Sequence, residues 1–293
     1  MPSYKYSTLA VHVWQHPDPQ TGAVNVPVYL SSTFELTGIG SDRGWDYSRA
    51  GNPTRDRLET ALAALEGGCC GHAFSSGMAA IHALVTPLRA GDHVLCSHNV
   101  YAGTVRLFNQ FVRQYGIEVE YVDTSKPEAV AAAMRPATRL VHVETPSNPT
   151  MVLSDIRAIS EIAHAKGAEV SVDNTFMSPV LQRPLELGAD IVMHSTTKYL
   201  NGHSDGIGGA LIGSKPEHKE RYLLIQKSTR TCHLRCAQPQ CIGGPGSFER
   251  DAFPGRISLY VFRYLGTGGL LVVATEARAC KGSGAASRVR TCG

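Results

Sequence analysis

The sequence predicts an α/β protein: a mostly parallel sheet with helices on both faces. Three observations predict it. Short apolar or alternating runs bounded by polar turns recur at His93–Cys96, Glu118–Asp123, Arg139–Glu144, Glu169–Asn174, Ile191–Met193 and Gly209–Gly213. Between them lie segments whose apolar residues repeat every three or four positions, as on one face of a helix. Two of the runs also end in chemistry. Glu169–Asn174 stays largely apolar until it delivers Asp173, and Ile191–Met193 runs into His194-Ser195-Thr196-Thr197-Lys198. Two parallel strands that bring an acid and an amine to one carboxyl edge are how an open α/β sheet builds a site.

Residues 1–45 show no long periodic pattern. Gln15–Pro19 and Thr21-Gly22 are turn material and Val26–Leu30 is a short extended piece, so this segment reads as an arm lying over another surface. Tyr47 and Arg49 precede a helix over 54–66, marked by Leu58, Ala61, Leu62 and Leu65 and ended by Gly67-Gly68. An exposed phenol and guanidinium are ordinarily solvated surface groups, but together they suit a phosphate. After the strand-like Ala73-Phe74, Ser75-Ser76-Gly77-Met78 opens another helix, where the N–H groups of Gly77 and Met78 are free to hold an anion.

Tyr101 follows the His93–Cys96 strand and reads equally as a packed aromatic or a site residue. Ala129–Met134 is a short helix. Glu144–Pro149 closes its strand in a polar turn broken by two prolines. Ser154 is placed to cap a helix running to Lys166, with Ile156, Ile159, Ile162 and Ala163 on one face and Gly167 after it. A further helix is expected near Glu217–Gln226.

Composition narrows the class. Hydrophobic residues make up 43% and charged residues 18% of 293, which is ordinary for a globular enzyme. No apolar run approaches the roughly 18 residues that span a bilayer, and no signal pattern opens the chain. The expectation is a cytoplasmic protein. Charge is uneven: residues 1–228 hold 19 Lys+Arg against 22 Asp+Glu, whereas 229–293 hold 9 against 3. Five of the eight cysteines, Cys232, Cys236, Cys241, Cys280 and Cys292, also fall in the last stretch. Cys232-His233, Cys236 and Cys241 invite a zinc reading, but their spacing fits no common finger, and no metal site is assigned. Basic residues without interleaved aromatics give no nucleic-acid module.

A lysine for a Schiff base and an acid for a pyridinium nitrogen are the pair that pyridoxal phosphate needs. The apolar strand before Lys198 would disfavour its ammonium form. Further segments carry a family resemblance: Tyr47–Thr54, Ser75–Ala79, Val100–Thr104, Glu144–Pro149, Val172–Phe176 and Ser195–Asp205. In order and spacing, over about residues 7–228, the sequence resembles the pyridoxal-phosphate enzymes of sulfur amino acid metabolism, the cystathionine γ-synthase and γ-lyase group.

The resemblance implies the large domain of a fold-type I pyridoxal-phosphate enzyme over 46–228, after an N-terminal arm at 1–45. It implies pyridoxal 5'-phosphate held by Lys198, with Asp173 at the ring nitrogen and Tyr101 stacked on the ring and assisting proton movement. Asn148 would lie near the phenolic oxygen, and Gly77, Met78, Ser195 and Thr197 around the phosphate. Tyr47 and Arg49 would reach that phosphate from a partner subunit, in a homo-oligomer built as a dimer of dimers. Glu144 reads equally as structural or catalytic. The implied activity is trans-sulfuration at the γ carbon of an amino-acid substrate. Cystathionine β-lyase, methionine γ-lyase and O-acylhomoserine sulfhydrylase remain alternatives.

The resemblance stops near Ser228. The family continues into a C-terminal domain that supplies an arginine for the substrate carboxylate, and nothing in 229–293 matches it by motif. That Arg-, Cys- and Gly-rich stretch is expected to be a truncated or aberrant region, disordered or translated in a shifted frame. Low turnover is therefore expected of this chain, and the rival from another class is a non-catalytic, cofactor-binding remnant.

Overall fold

The computed structural model describes residues 5–13 and 16–229 and the backbone of 256–265 and 269–278. It divides into two units, Met1–Gly244 and Pro245–Gly293. In the second, strands Arg256–Leu265 and Gly269–Arg278 pair antiparallel, Arg256 opposite Arg278 and Leu265 opposite Gly269. Cys232, His233, Cys236, Cys241, Cys280 and Cys292 lie outside the described residues.

The first unit holds helices α1 (Tyr6–His12), α2 (Pro53–Glu66), α3 (Gly77–Val85), α4 (Ala102–Gln110), α5 (Pro127–Ala133), α6 (Ile156–His164), α7 (Ser178–Leu181) and α8 (Pro216–Thr229). Its strands are β1 (Cys70–Phe74), β2 (His93–Ser97), β3 (Glu118–Val122), β4 (Thr138–Glu144), β5 (Glu169–Asp173), β6 (Ile191–His194) and β7 (Gly209–Gly213). They form one seven-stranded sheet in the order β1-β7-β6-β5-β4-β2-β3. β7 runs antiparallel to both neighbours and the other pairings are parallel, so the sheet is mostly parallel as expected.

Both faces are covered. Ile81 and Leu84 of α3, Phe108 of α4 and Tyr222 and Ile225 of α8 pack with Val94, Cys96, Leu140, Ile191 and Met193 on one side. On the other, Val130 of α5 and Ile156, Ile159 and Ala163 of α6 pack on Leu95, Val141, Val143, Val170 and Val172. There too Leu58, Ala61 and Leu62 of α2 cover Val192, Ala210 and Ile212. The central strands are apolar on both sides because both sides are buried.

Local signals set most boundaries. The Asn52 carboxamide accepts the Thr54 and Arg55 N–H groups at the start of α2, Pro53 occupies its first position, and Gly67 ends it at φ 74°. Two expectations are corrected. The cap of α6 is Asp155, whose carboxylate accepts the Ala158 N–H, because the Ser154 hydroxyl is held by Thr124 at 2.8 Å. Residues 1–45 also contain α1, a helix too short to show a period, whose following residue Val13 packs on the α2 cluster. No helix among the described residues is long and apolar enough to cross a membrane.

β7 meets the start of α3 at glycine. A Cβ on Gly209 would run into the Ser76 carbonyl and stand 2.9 Å from the Gly77 Cα. Gly209→Ala is therefore expected to destabilise the fold by about 1–3 kcal/mol through overpacking. Thermal denaturation reads this as a loss of roughly 2–4 °C per kcal/mol for a unit of this size. An unchanged melting temperature would show that the approach is slack.

Candidate active site

Parallel pairing of β5 with β6 sets Asp173 opposite Met193, on the sheet face covered by α3 and α4. β4 pairs with β5 so that Glu144 stands opposite Asp173. The loops leaving these strands enclose one cavity of about 890 Å³, counting its open mouth. Its wall includes Asp173, Lys198, Ser195, Thr197, Gly77, Met78, Tyr101 and Asn148. Of the residues predicted to make the site, Tyr47 and Arg49 alone do not line it.

The turn bearing Lys198 is held by backbone contacts. The Asn174 N–H donates to the Met193 carbonyl at 3.0 Å, and the Ser195 N–H to the Thr175 hydroxyl at 2.8 Å. The Thr175 N–H in turn donates to the Asp173 carboxylate at 3.0 Å, fixing one of its oxygens. Beyond Ser195 the Lys198 N–H returns to the Ser195 carbonyl and the Gly202 N–H to the Lys198 carbonyl. This places Lys198 in a turn past the end of β6, where its side chain is exposed. The buried strand Ile191–Met193 therefore does not bury the lysine, although Met193 shares its cavity wall.

At the other end, the Ser76 hydroxyl accepts the Ala79 N–H at 3.1 Å and its carbonyl accepts the Ala80 N–H. The N–H groups of Gly77 and Met78, first in α3, have no carbonyl within the helix to meet. A Cβ at Gly77 would stand 2.8 Å from the Ser195 Cβ, so glycine lets the helix start close against the lysine-bearing turn. The result is an anion cradle of free N–H groups and hydroxyls. Thr197 enters it with its hydroxyl already engaged, donating to the Gly208 carbonyl at 3.2 Å and accepting the Gly208 N–H at 3.0 Å.

Glu144 was the ambiguous residue of the sequence. Its two oxygens accept the Tyr101 N–H at 2.7 Å and the Asn148 N–H at 2.8 Å. One carboxyl group thus braces both the start of α4, where the Tyr101 ring is 49% exposed, and the loop bearing Asn148. Burial, with the neighbouring Asp173 charge, pushes Glu144 up to about 8 despite the two N–H bonds that favour its anion.

Tyr47 and Arg49 are displayed on a different surface. Ser48 and Asn52 are buried, the Asn52 amide donates to the Tyr29 carbonyl and the Ser48 hydroxyl, and the buried Arg55 donates to the Ser48 and Ala50 carbonyls. Tyr47 and Arg49 point out from this pinned loop, the guanidinium 5.3 Å from the ring centroid and donating to the Lys227 carbonyl at 2.7 Å. Sequence reading missed Ser76, Ile81, Pro146, Thr175, Met193 and Ile207 as wall residues. Ser76 and Thr175 adjoin the motifs that were found, and that adjacency was the available signal.

The raised Glu144 fixes the sign of a pH effect. The folded chain keeps a proton that the unfolded chain releases above the usual carboxyl value of 4.5. The stability this group contributes is therefore full below that value and lost as pH rises through about 8. In Glu144→Gln a single acceptor oxygen serves two N–H donors, which costs about 1–3 kcal/mol. Wild type should exceed Glu144→Gln in denaturant stability at pH 5, with the gap narrowing toward pH 8. A gap that widens over that range would reverse the assignment.

Comparison with known proteins bears on this arrangement. The family model described as Cys/Met metabolism PLP-dependent enzyme matches residues 7–240. A cystathionine gamma-synthase of Mycobacterium bovis is 50% identical over 222 residues, 75% of this chain and 57% of that protein. A cystathionine gamma-lyase of Bacillus subtilis is 45% identical over 225 residues, 77% of this chain and 59% of its own length. The crystal structure of cystathionine gamma-lyase from Lactobacillus plantarum complexed with L-serine superposes with a TM-score of 0.80 at 40% identity, covering 82% of this chain and 63% of that one. The chain thus spans less than two thirds of the length of each of these relatives. With a family match over most of its residues and relatives near half identity, the chain belongs to the pyridoxal-phosphate-dependent enzymes of cysteine and methionine metabolism.

Proposed function

We propose that the chain binds pyridoxal 5'-phosphate in this cavity and acts at the γ carbon of sulfur amino acids or O-acylhomoserine, as a cystathionine γ-synthase or γ-lyase does. The observation that carries the proposal is the delivery of Asp173 and Lys198 by adjacent parallel strands into the cavity where α3 begins. The residues fit the cofactor. The cradle at Gly77, Met78 and Ser195 suits a phosphate, the free oxygen of Asp173 suits a protonated ring nitrogen, and Lys198 offers an amine at the open side.

When bound, the cofactor supplies an electron-accepting ring that stabilises negative charge on the carbon beside the substrate's amino group. The chain supplies the rest. Asp173 would hold a proton at the ring nitrogen, and Tyr101, at the start of α4, would lie against the ring. Asn148, its loop fixed by Glu144, would serve the phenolic oxygen. Lys198 would hold the cofactor and, as a free amine, would carry protons between the α and β carbons of the substrate as a γ substituent leaves. No arginine is among the described residues that line the cavity, so the substrate carboxylate needs a group from beyond them.

Tyr47 and Arg49 are proposed to serve the phosphate of a partner subunit, in a homo-oligomer built as a dimer of dimers. Their outward display from a pinned loop supports this, as do the exposed apolar side chains of Val24, Leu30 and Leu36 in the arm, 67%, 76% and 57% accessible. A cytoplasmic location accords with this reading.

Two measurements test the proposal. Purified chain with added pyridoxal phosphate should develop a visible band that borohydride removes, leaving a pyridoxyl group on Lys198. Lys198→Ala should lose that band and lower turnover by roughly 10²–10⁴-fold. Labelling of a different lysine would sink the assignment. Assays with O-succinylhomoserine plus cysteine, and with cystathionine, then separate γ-synthase from γ- and β-lyase by product. For the subunit exchange, Arg49→Ala and Lys198→Ala proteins should each be impaired alone. Co-refolded, they should regain up to roughly a quarter of wild-type activity, since half the dimers carry one intact site. No recovery would mean that Arg49 serves its own subunit.

A further inference from the structure

Next to the cavity lies a polar network of Glu66, His194, Asn174, Gln182 and Thr145, none of them a wall residue. Glu66, the last residue of α2, is fully buried, and His194 is 1% exposed. One Glu66 oxygen meets the His194 Nε2 at 2.5 Å and accepts from the Asn174 amide at 2.8 Å. Asn174 follows Asp173 at the end of β5, and His194 precedes Ser195 at the end of β6. The Asn174 amide also donates to the Gln182 carbonyl at 2.8 Å, while the Gln182 amide donates to the Asn174 side-chain oxygen at 2.9 Å and to the Thr145 carbonyl at 3.1 Å. Thr145 follows Glu144 at the end of β4. The network therefore ties together the carboxyl ends of β4, β5 and β6, the three strands that deliver Glu144, Asp173 and the lysine turn. The Tyr6 phenol lies near enough to Glu66 and to the Arg183 guanidinium to feel both charges.

Stability alone does not explain the arrangement. The second Glu66 oxygen and the His194 Nδ1 are buried without a hydrogen-bond partner among the described residues. A buried ionisable pair left partly unsatisfied is costly, and apolar residues of similar volume often serve the fold as well or better. What an apolar pair cannot do is fix the relative position of strand ends to hydrogen-bond tolerance.

We propose that Glu66 is a positioning residue for the cofactor site, holding Asp173 and the Ser195–Lys198 turn at their mutual distance through Asn174 and His194. The inference rests on the reading of that cavity as the pyridoxal-phosphate site.

The test uses the full chain with three substitutions. Glu66→Gln keeps the oxygen that takes both hydrogen bonds and changes only the unpartnered one. Glu66→Leu keeps volume and removes both bonds. Gln182→Met removes the two amide bonds from the partly exposed edge of the network, and so tests the device even where Glu66→Leu does not fold. Hydrogen exchange on the cofactor-free chain reads the Asn174 and Ser195 amides, which close the β5–β6 contact. Glu66→Leu and Gln182→Met should speed their exchange roughly tenfold for each hydrogen bond lost, with β2 and β3 unchanged. Affinity for pyridoxal phosphate, followed by absorbance titration, should fall by a similar factor. Glu66→Gln should match wild type in both.

Unchanged exchange in Gln182→Met, acceleration spread evenly over the sheet, or failure of Glu66→Gln to match wild type would each overturn the proposal. A wild-type chain that takes up no cofactor would instead defeat the cofactor reading, and the exchange data would still judge the network.

Discussion

The parallel register of β4, β5 and β6 is the constraint on which the site depends. Glu144 stands opposite Asp173, and Asp173 opposite Met193. In a strand, side chains alternate between faces, so a slip of one residue would turn Asp173 from the α3 side of the sheet to the α6 side. Burial on both faces forbids that slip, because it would also exchange Val172, packed under α6, with a carboxylate. The apolar core thus fixes where the acid points, and the fold and the chemistry rest on one alignment.

That alignment has an electrostatic cost. Two carboxyl groups at one level of the same face cannot both ionise freely out of water, and burial with the Asp173 charge beside it raises Glu144. Its two N–H donors hold the carboxyl in place whichever state it is in. A protonated pyridine nitrogen brought to the free oxygen of Asp173 would offset that carboxylate's charge.

Much of this was legible in the sequence where the determining forces are local. Strands β2 to β7 were found to within a residue because each is a short apolar or alternating run between turn residues, whereas only the last two residues of β1 were read as extended. α2 was found because Leu58, Ala61, Leu62 and Leu65 recur at helical spacing and Gly67-Gly68 ends it. Eight of the ten proposed cofactor residues line the cavity because each lies within four residues of a strand or helix end, where turn chemistry is visible in one dimension. What escaped is tertiary. Ser154 was read as the cap of α6, and its hydroxyl is instead engaged by the distant Thr124 while Asp155 caps the helix. Lys198 took an apolar character from a strand it has already left. Glu66 sits in Leu65-Glu66-Gly67 like any solvated helix end, and nothing nearby announces partners at Asn174 and His194, more than a hundred positions away.

Arg49 shows how a residue can be occupied in its own chain and still be available. Its guanidinium has five N–H donors, and the hydrogen bond to the Lys227 carbonyl uses one of them. That bond ends on a neutral oxygen, whereas a phosphate brings an opposite charge and oxygens that can take two parallel guanidinium N–H groups. A phosphate presented by a second subunit would compete on favourable terms even for the donor already in use. The loop itself has little freedom to lose, since Arg55 and Asn52 hold Ser48 and Ala50 by their backbone or hydroxyl oxygens. The tie to α8 therefore orients the guanidinium over Tyr47 before any partner arrives, and a side chain already ordered loses less entropy on binding than a free one.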